Sequence, residues 1–391
     1  MITPDEALVR LLALAIPVDV ETMPLIEAAG RWAAEPVVAL RTQPAQNLSA
    51  MDGYAIRHAD MPGPWRVTGE SAAGSPFAGM AGAGEAIRIF TGAAMPDGAD
   101  SVIIQEDVTR DADALTLTAD SPGHQGAHVR RAGSDFTAGQ TLIEAGDPLT
   151  PARIGLAAIG GHATLPVRRH IRVALISTGD ELVPIGTDPG PDHLPSSNAI
   201  MLAAMMGSLP VTMTDFGIIP DDRAALASVF AVAAGHDIIV TTGGASVGDH
   251  DLVRPALIDA GATIDFWKIA MRPGKPLMAG RLGKAVALGL PGNPVSVFVT
   301  ATLFLKPLIA HLSGASIAAP PTLTARLATD LPAVGIRTDY IRALWLDGAI
   351  APLRGDSGML VPLASATALI VRPAGSPPAA TGDDVRVIIL A

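Results

Sequence analysis

The chain has 391 residues, more than one hydrophobic core usually supports, so we expect two to four domains. Apolar residues make up 49% of it, which excludes a disordered chain, and aromatic residues only 4%, which predicts aliphatic cores. The net charge of −11 argues against nonspecific binding to nucleic acid or anionic membranes. Because cysteine is absent, disulfides, thiolate metal sites and cysteine nucleophiles are excluded, and the composition fits a cytoplasmic protein.

The N-terminus predicts a helix and lacks the basic start of a signal peptide. Thr3, Pro4 and Glu6 have the spacing of a capping box, so we expect a helix that runs to about Ala15. A second helix is predicted over residues 151–159 and is expected to pack on the first. The two helices predict a discontinuous N-terminal domain, residues 1–40 plus 139–169.

The segment after residue 40 has the pattern of a small, mostly β domain, which we place at residues 41–138. Short apolar runs that favour strands alternate in it with turns rich in glycine, proline and aspartate. The predicted strands are residues 65–68, 86–90, 101–105 and 114–117.

Strand and helix patterns alternate between residues 170 and 314, which predicts an α/β domain with a mostly parallel sheet. The predicted strands are residues 171–176, 211–218, 237–242 and 285–290, and the predicted helices are 198–207, 222–234 and 252–260. The apolar run 295–312 is interpreted as a buried helix because Lys306, Pro307 and His311 interrupt it. For residues 315–391 we expect a C-terminal β-barrel domain.

Turns and polar residues follow the predicted strands of the α/β domain. Ligands of open α/β sheets bind beyond the carboxyl ends of the strands, so we expect these residues to line one site. Glycine-rich turns at helix N-termini favour phosphate, and carboxylates from separate strands favour Mg²⁺. The residues are Thr178, Gly179 and Glu181 after the first strand, Asp221 after the second, Gly243, Gly244, Ser246 and Asp251 after the third, and Pro291, Gly292 and Asn293 after the last.

A basic segment, residues 267–276, adds Lys268, Arg272 and Lys275, which are suited to holding an oxyanion. Each feature alone also has a simpler explanation, because a Thr-Gly-Gly sequence is often only a turn and Asp222 suits a helix N-cap. The functional interpretation depends on all of them falling at successive strand ends of one domain.

Six motifs occur in a fixed order that resembles one family. They are Ser-Ala-Met-Asp-Gly-Tyr-Ala (49–55), Ile-Phe-Thr-Gly-Ala (89–93), Ser-Thr-Gly-Asp-Glu-Leu (177–182), Thr-Gly-Gly-Ala-Ser-Val-Gly (242–248), Arg-Pro-Gly-Lys-Pro (272–276) and Gly-Leu-Pro-Gly-Asn-Pro-Val-Ser (289–296). The chain resembles the molybdopterin molybdenumtransferases, the MoeA-type molybdenum insertases related to the E domain of gephyrin. The resemblance covers nearly the whole chain.

The resemblance implies four domains, with a central α/β domain of the molybdopterin-binding type, and an elongated homodimer. It also implies a magnesium-dependent reaction that inserts molybdate into adenylated molybdopterin and releases AMP. The catalytic positions it implies are Asp52, Thr91, Asp135, Glu181, Asp221 and Asp251, of which Glu181, Asp221 and Asp251 would hold the metal; Lys268, Arg272 and Lys275 would bind anions. The adenylyltransferase and recipient molybdoenzymes are implied as further partners.

Three positions depart from the family pattern. The loop at Asn47-Leu48-Ser49 is one residue longer, and Arg272 stands where lysine is common. The stretch 355–360 resembles the family's Gly-Ser-His stretch only loosely, so Ser357 is the weaker substrate-binding assignment and Ser365 weaker still.

Two alternatives remain at this point. A molybdopterin adenylyltransferase would need only the α/β domain, and the additional domains argue against it. A noncatalytic scaffold or pterin carrier would have no reason to retain so many clustered carboxylates, which are costly to bury.

Overall fold

The computed structural model describes residues 1–119, 122–244 and 252–390. The first helix begins as predicted, with the Thr3 side chain accepting a hydrogen bond from the Glu6 amide, and it ends at Ala13. The Glu6 carboxylate lies 3.6 Å from Arg10, so it faces along the helix and not back toward the cap.

The first 169 residues form two groups of elements. In chain order they are α1 (Pro4–Ala13), β1 (Val20–Pro24), α2 (Leu25–Ala28), β2 (Val37–Val38), β3 (Leu48–Ser49), β4 (Gly53–Ile56), β5 (Trp65–Ser71), β6 (Glu85–Ile89), β7 (Ser101–Ile104), β8 (Val108–Asp111), β9 (Ala114–Leu117), β10 (Val129–Arg130), β11 (Thr141–Ile143), α3 (Pro151–Ile159) and β12 (Thr164–Arg168). Strands β4 to β9 make a six-stranded sheet in the order β7-β4-β6-β5-β9-β8.

The chain returns to its beginning after this sheet. Strand β12 pairs antiparallel with β1, and β11 pairs antiparallel with β2. Residues of α2, α3 and β12, among them Ala28, Ala157 and Leu165, share one buried cluster. The expected partner of α1 was wrong: Ala7 and Leu11 belong to another cluster, together with Leu305 of the helix that ends at Leu312.

The next part of the chain forms an α/β/α layer structure. Its elements are β13 (Ile171–Thr178), β14 (Leu182–Val183), β15 (Leu194–Pro195), α4 (Ser197–Met206), β16 (Val211–Ile219), α5 (Arg223–Ala233), β17 (Ile238–Thr242), α6 (Val253–Asp259), β18 (Thr263–Trp267), β19 (Met271–Arg272), β20 (Met278–Leu282), β21 (Ala285–Leu290) and α7 (Pro294–Leu312). The main sheet has the order β16-β13-β17-β21-β20-β18, and its first four strands run parallel.

Alternate residues of β13 pack on opposite faces of the sheet. Val173 and Leu175 join the cluster that contains residues of α4 and α7, whereas Ala174 and Ile176 join residues of α5 and α6. The sheet is therefore covered on both faces, as near-continuous apolar strands require. Strands β18 and β20, which pair antiparallel at one side, were not predicted.

The remaining residues add β22 (Thr322–Arg326), β23 (Thr338–Leu346), β24 (Ala349–Pro352), α8 (Leu360–Ala364), β25 (Ala368–Arg372) and β26 (Asp384–Ile389). The strand order is β19-β23-β25-β26-β22, with β24 beside β23. Because β19 belongs to the preceding part of the chain, this sheet connects the C-terminal part to the α/β layers. The fold as a whole is mixed α/β with several sheets.

Helix α7 is long and apolar enough to cross a membrane, by its length and composition alone. Of its apolar window, 78% is buried inside the protein. The prediction of a buried helix is confirmed.

Candidate active site

The ends of β13 and β17 meet at a glycine turn. The Thr178 hydroxyl donates to the Thr242 carbonyl at 3.5 Å. Gly243 has a φ of +90°, and a Cβ at this position would lie 2.4 Å from the Thr178 carbonyl oxygen. Only glycine permits this conformation and this approach without strain. Gly244 is equally confined, since its Cβ would lie 2.3 Å from Val253.

The turn before α7 closes on the same point. A Cβ at Gly292 would lie 3.7 Å from the Gly243 Cα, so the two turns are in contact. Asn198, in the first turn of α4, donates from Nδ2 to the Gly292 carbonyl at 2.7 Å. Pro291 is buried beside the exposed Gly292. The three predicted glycine turns therefore converge, and Asn198 is a contact that the sequence reasoning had not assigned.

The loop 355–359 covers the start of α7. Asn293 is the N-cap of this helix, and its Nδ2 donates to Ser357 Oγ at 3.0 Å. The Val295 amide donates to the Ser357 carbonyl at 3.2 Å. Ser357, the weaker sequence assignment, thus contacts the glycine turn directly.

Arg342 of β23 is hydrogen-bonded to the backbone of this loop. Arg342 is 6% exposed, and its guanidinium donates to the carbonyls of Gly355, Asp356 and Met359. Burial lowers the pKa of Arg342, and the nearby Asp356 opposes that effect. The sequence reasoning missed Arg342, because nothing in a single sequence shows that an arginine in a strand is buried.

Two acidic residues lie at neighbouring strand ends. A Cβ at Gly179, whose φ is +141°, would lie 2.5 Å from Glu181 Oε2, so glycine leaves room for this carboxylate at the end of β13. The Asp221 amide, after β16, donates to Asp180 Oδ1 at 3.1 Å. The Asp222 carboxylate accepts a hydrogen bond from the Ala225 amide and so caps α5, which is the N-cap role that the sequence also allowed.

Within the described ranges, no three His, Asp or Glu residues are grouped closely enough to hold a metal ion. Asp251, the third predicted ligand, and Ser246 lie outside the described residues.

The basic segment 267–276 begins at the last residue of β18, contains the short strand β19 and ends just before β20. The Lys268 amide donates to the Leu277 carbonyl, and the Ile269 amide donates to the Lys275 carbonyl. Lys268 has a φ of +76°, and its Nζ lies 4.1 Å from the centre of the Trp267 ring. Lys275 is exposed.

Arg272 is directed differently. It lies in β19, which pairs with β23, and its Nη1 is 4.0 Å from Asp339. Because the Arg272 guanidinium lies near the Asp339 carboxylate, it is less suited to binding an anion than Lys268 and Lys275 are.

The β sheet formed by β4 to β9 carries a second group of predicted residues. Asp52 Oδ1 accepts from the Thr91 amide at 2.7 Å and from the Thr91 hydroxyl at 2.9 Å. These two hydrogen bonds, with the nearby Arg88 charge, hold the pKa of Asp52 below its ordinary value. Asp52 and Thr91, two of the implied catalytic positions, are therefore hydrogen-bonded to each other, and the Asp52 carboxylate is exposed.

The residue after Asp52 explains why this motif needs glycine. A Cβ at Gly53 would lie 1.9 Å from the Ile103 carbonyl oxygen of the neighbouring strand β7. Gly53 is the first residue of strand β4, so Asp52 directly precedes that strand. Asp135 is also exposed, and its amide donates to the Gln43 carbonyl.

The two groups adjoin different sheets of the fold. Among the described residues, no hydrogen bond or ion pair joins residues 41–138 to residues 170–314. Asp52, Thr91 and Asp135 are thus not brought to the glycine turns by any polar contact of this kind.

Comparison with known proteins identifies the family. A molybdopterin molybdenumtransferase of Haemophilus influenzae is 37% identical over 350 residues, which cover 88% of this chain and 86% of that protein. The chain belongs to the molybdopterin molybdenumtransferase family. A second member, from Nostoc, is 36% identical over 95% of this chain and 89% of its own length.

Three family descriptions match successive parts of the chain. They are the MoeA N-terminal region (domain I and II) at residues 2–161, a probable molybdopterin binding domain at 174–311, and the MoeA C-terminal region (domain IV) at 324–390. The crystal structure of a molybdopterin biosynthesis MoeA protein from Pyrococcus horikoshii superimposes over all of both chains, with a TM-score of 0.88 and 27% identity. The resemblance inferred from the motifs is confirmed.

Proposed function

We propose that this chain inserts molybdenum from molybdate into adenylated molybdopterin and releases AMP. The observation that carries the proposal is the contact between the three glycine turns, at Thr178–Gly243 and Gly243–Gly292, in a chain that matches molybdenumtransferases along most of its length. Such turns present backbone N–H groups to the phosphates of a nucleotide-linked substrate. The N-terminus of α7, a helix of 19 residues, adds a favourable dipole for an anion.

The two lysines of the basic segment are proposed to hold oxyanions. Lys268 and Lys275 lie in this segment with their charges not committed to any ion pair between described residues. Charge-assisted hydrogen bonds from ammonium groups suit molybdate or phosphate oxygens. We expect Lys275→Ala to raise the molybdate concentration needed for half-maximal turnover, with Lys284→Ala, an exposed lysine in the β20–β21 turn, as the matched control. Unchanged dependence on both molybdate and nucleotide would make Lys275 merely structural.

Magnesium fits the acidic residues of the strand ends. Mg²⁺ in proteins usually takes one or two carboxylates and completes its coordination with water and substrate phosphates. Glu181 and Asp221 supply carboxylates from adjacent strands, and Asp251 would be the third ligand. Bound there, Mg²⁺ would neutralise negative charge on the phosphates of the substrate. Release of AMP that continues undiminished in excess EDTA would contradict this assignment.

We further propose that the active site is shared between two subunits of a homodimer. No hydrogen bond or ion pair between described residues links Asp52, Thr91 or Asp135 to the glycine turns, which supports a site to which a second copy contributes. A two-fold dimer then has two identical composite sites.

Mixed dimers test the shared site. Asp52→Ala and Glu181→Ala are each expected to be inactive, and in a mixed dimer one site carries both changes while the other carries neither. Random mixing makes about half of the dimers mixed, so about a quarter of wild-type activity should return. Co-expression with two different tags confirms that mixed dimers form. Their complete inactivity would place each site within one chain.

We propose four domains. The first is discontinuous and consists of residues 1–40 plus 139–169, and the others are residues 41–138, 170–314 and 315–391. The pairing of β1 with β12 supports the discontinuous first domain. For the last domain, a bridge between Leu327, beside β22, and Ile350 of β24 supports a closed barrel, because β24 in turn pairs with β23.

One assay separates the transferase from its alternatives. Purified protein is incubated with adenylated molybdopterin, molybdate and Mg²⁺, and both AMP and the molybdenum-containing cofactor are measured. The transferase releases AMP only when molybdate is present. An adenylyltransferase instead forms the adenylated compound from molybdopterin and ATP, and a scaffold or carrier binds the pterin with no AMP release. We expect the reaction to lie in the cytoplasm between an adenylyltransferase that supplies the substrate and the molybdoenzymes that receive the cofactor.

A further inference from the structure

Arg88 lies at the centre of the segments that hold Asp52. It belongs to β6, and its half-buried side chain extends across β4 toward the start of that strand. Nη1 donates to the Gly53 carbonyl at 2.9 Å, and Nη2 donates to Gln105 Oε1 at 2.7 Å. One planar guanidinium thus joins two segments that are far apart along the chain.

A further hydrogen bond closes this arrangement around Asp52. The backbone N–H of Gln105 donates to the Asp52 carbonyl at 3.1 Å. Arg88 and Gln105 together therefore fix the two peptide groups that directly follow the Asp52 side chain. A single rigid fork loses less entropy in making such contacts than a flexible ammonium would.

The same guanidinium lies against the segment that carries Thr91. The Arg88 Cζ is 4.6 Å from the centre of the Phe90 ring and 5.2 Å from that of Tyr54, both within the range of a cation–π interaction. Phe90 directly precedes Thr91, which donates both of its hydrogen bonds to Asp52. Arg88 thus contacts both the Gly53 backbone, next to the acceptor Asp52, and the Phe90 ring, next to the donor Thr91.

The surrounding charges show that Arg88 is not used as an ordinary ion-pair partner. Glu70 of β5 faces Arg88 in the register of the sheet. No ion pair between described residues nevertheless includes Arg88. Its neighbour Arg66 does form one, with Glu85 at 3.1 Å. Arg88 donates instead to the Gly53 carbonyl and to the Gln105 side-chain oxygen, which are both uncharged. These hydrogen bonds fix the positions of the two groups and do not neutralise the positive charge of Arg88.

We propose that Arg88 is a positioning residue that clamps the 52–53 and 90–91 segments so that the Asp52 carboxylate has one fixed orientation. The positioning role of Arg88 is argued from these contacts, and only its expected effect on turnover rests on the proposed function. Lysine keeps the charge but cannot span Gly53 and Gln105 at once, so the clamp requires the guanidinium fork.

The experiment compares Arg88→Gln, Arg88→Lys and Gln105→Ala with Arg66→Gln, an exposed arginine on the neighbouring strand, as the control. Two properties are measured in the full-length protein. One is the titration of the Asp52 carboxyl by ¹³C NMR of aspartate-labelled protein, assigned with Asp52→Asn. The other is kcat and KM for AMP release. Gln105→Ala keeps the charge of Arg88 and removes one of its contacts, so it tests the clamp even if Arg88 variants fold poorly.

In Arg88→Gln we expect the pKa of Asp52 to rise toward the ordinary carboxyl value and kcat to fall by about 10- to 100-fold with little change in KM, the pattern of a misplaced catalytic group. Arg88→Lys should lose most of that turnover, Gln105→Ala should lose less, and Arg66→Gln should match wild type. A wild-type Asp52 titration in Arg88→Gln, or full turnover in Arg88→Lys, would overturn the clamp. Full turnover in Asp52→Asn would show that Asp52 takes no part in the reaction. The clamp would then be judged by the Asp52 titration in the Arg88 variants alone.

Discussion

Asn293 donates from Nδ2 to Ser357 Oγ at 3.0 Å across 64 residues of sequence. This hydrogen bond joins the last glycine turn of the α/β sheet to a loop of the C-terminal part. Asn293 occupies the N-cap position of α7 and directly follows Gly292, so this hydrogen bond lies beside the glycine turn.

Ser357→Ala removes this acceptor and should disturb the turn without unfolding the protein. We expect kcat/KM to fall about 2- to 10-fold, the range for one hydrogen bond of about 0.5–1.5 kcal/mol. Ser365→Ala is the matched control, because the Ser365 hydroxyl donates only to the Val361 carbonyl within its own short helix. Equal kinetics of the two variants would show that the Asn293 contact does not affect the site.

Arg342→Met should destabilise the loop 355–359. The change leaves three carbonyl groups without their charged donor, and we expect a loss of about 2–4 kcal/mol in the free energy of unfolding. Urea denaturation measures the loss, and limited proteolysis shows whether cleavage concentrates in the loop. Arg354→Met, an exposed neighbour, should be nearly neutral. If both variants were equally stable, Arg342 would not be the support of the loop.

Gly243→Ala should damage both stability and activity. The positive φ alone costs about 1–3 kcal/mol, and the clash with the Thr178 carbonyl adds to it. Gly283→Ala is the control, since Gly283 has a φ of +61° and no atom within 4 Å of the new Cβ. Urea denaturation of both variants separates backbone strain from the close approach. A Gly243→Ala protein no less stable than Gly283→Ala would contradict the contact between the two strand ends.

Asp237 is expected to make stability depend on acid pH. It accepts two hydrogen bonds from Arg169, at 2.7 and 2.8 Å, and one from the Arg172 amide. Burial alone would raise the pKa of Asp237, but the hydrogen bonds from Arg169 and Arg172 outweigh it and the net pKa is lowered. The contribution of Asp237 is therefore present above the ordinary carboxyl pKa of about 3.9 and is lost as pH falls through the lower folded value.

Asp237→Asn should thus lose about 1–3 kcal/mol of unfolding free energy at neutral pH, and the difference from wild type should shrink below about pH 4. Denaturant unfolding at several pH values checks both statements. Asp113→Asn, an exposed carboxylate 3.8 Å from Arg110, should have little effect. A difference that stayed constant down to pH 2 would mean that Asp237 acts by packing and not by its charge.

The strands that the sequence predicted are those with an unambiguous local pattern. Residues 285–290 and 114–117 were predicted with the observed bounds, because each is an apolar or alternating run between turns. Strand β20 was missed because its five residues include Gly280 and Arg281, which weaken a β pattern. A Cβ at Gly280 would lie 2.4 Å from the Thr263 carbonyl, so this glycine is required by a neighbouring strand that is not adjacent in sequence.

Helix α1 shows the same limit for packing. Its start was predictable because Thr3 and Pro4 act within one turn. Its partner was not, because an apolar face specifies only that something covers it. The structure supplies α7, and the Val18 amide then donates to the Leu312 carbonyl at the end of that helix.

The sequence by itself determined the family, the order of the motifs and the glycine turns at the strand ends, since each depends on residues close together along the chain. Only the tertiary structure decided that Gly243 contacts Gly292, that Ser357 reaches Asn293 and that Arg88 and Arg342 hold the loops around them. These contacts join residues that are distant in sequence. For Arg342, which is buried, burial commits its donors to the carbonyls of the loop. A polar side chain removed from water must find a partner inside the fold, and the fold determines which partner is within reach.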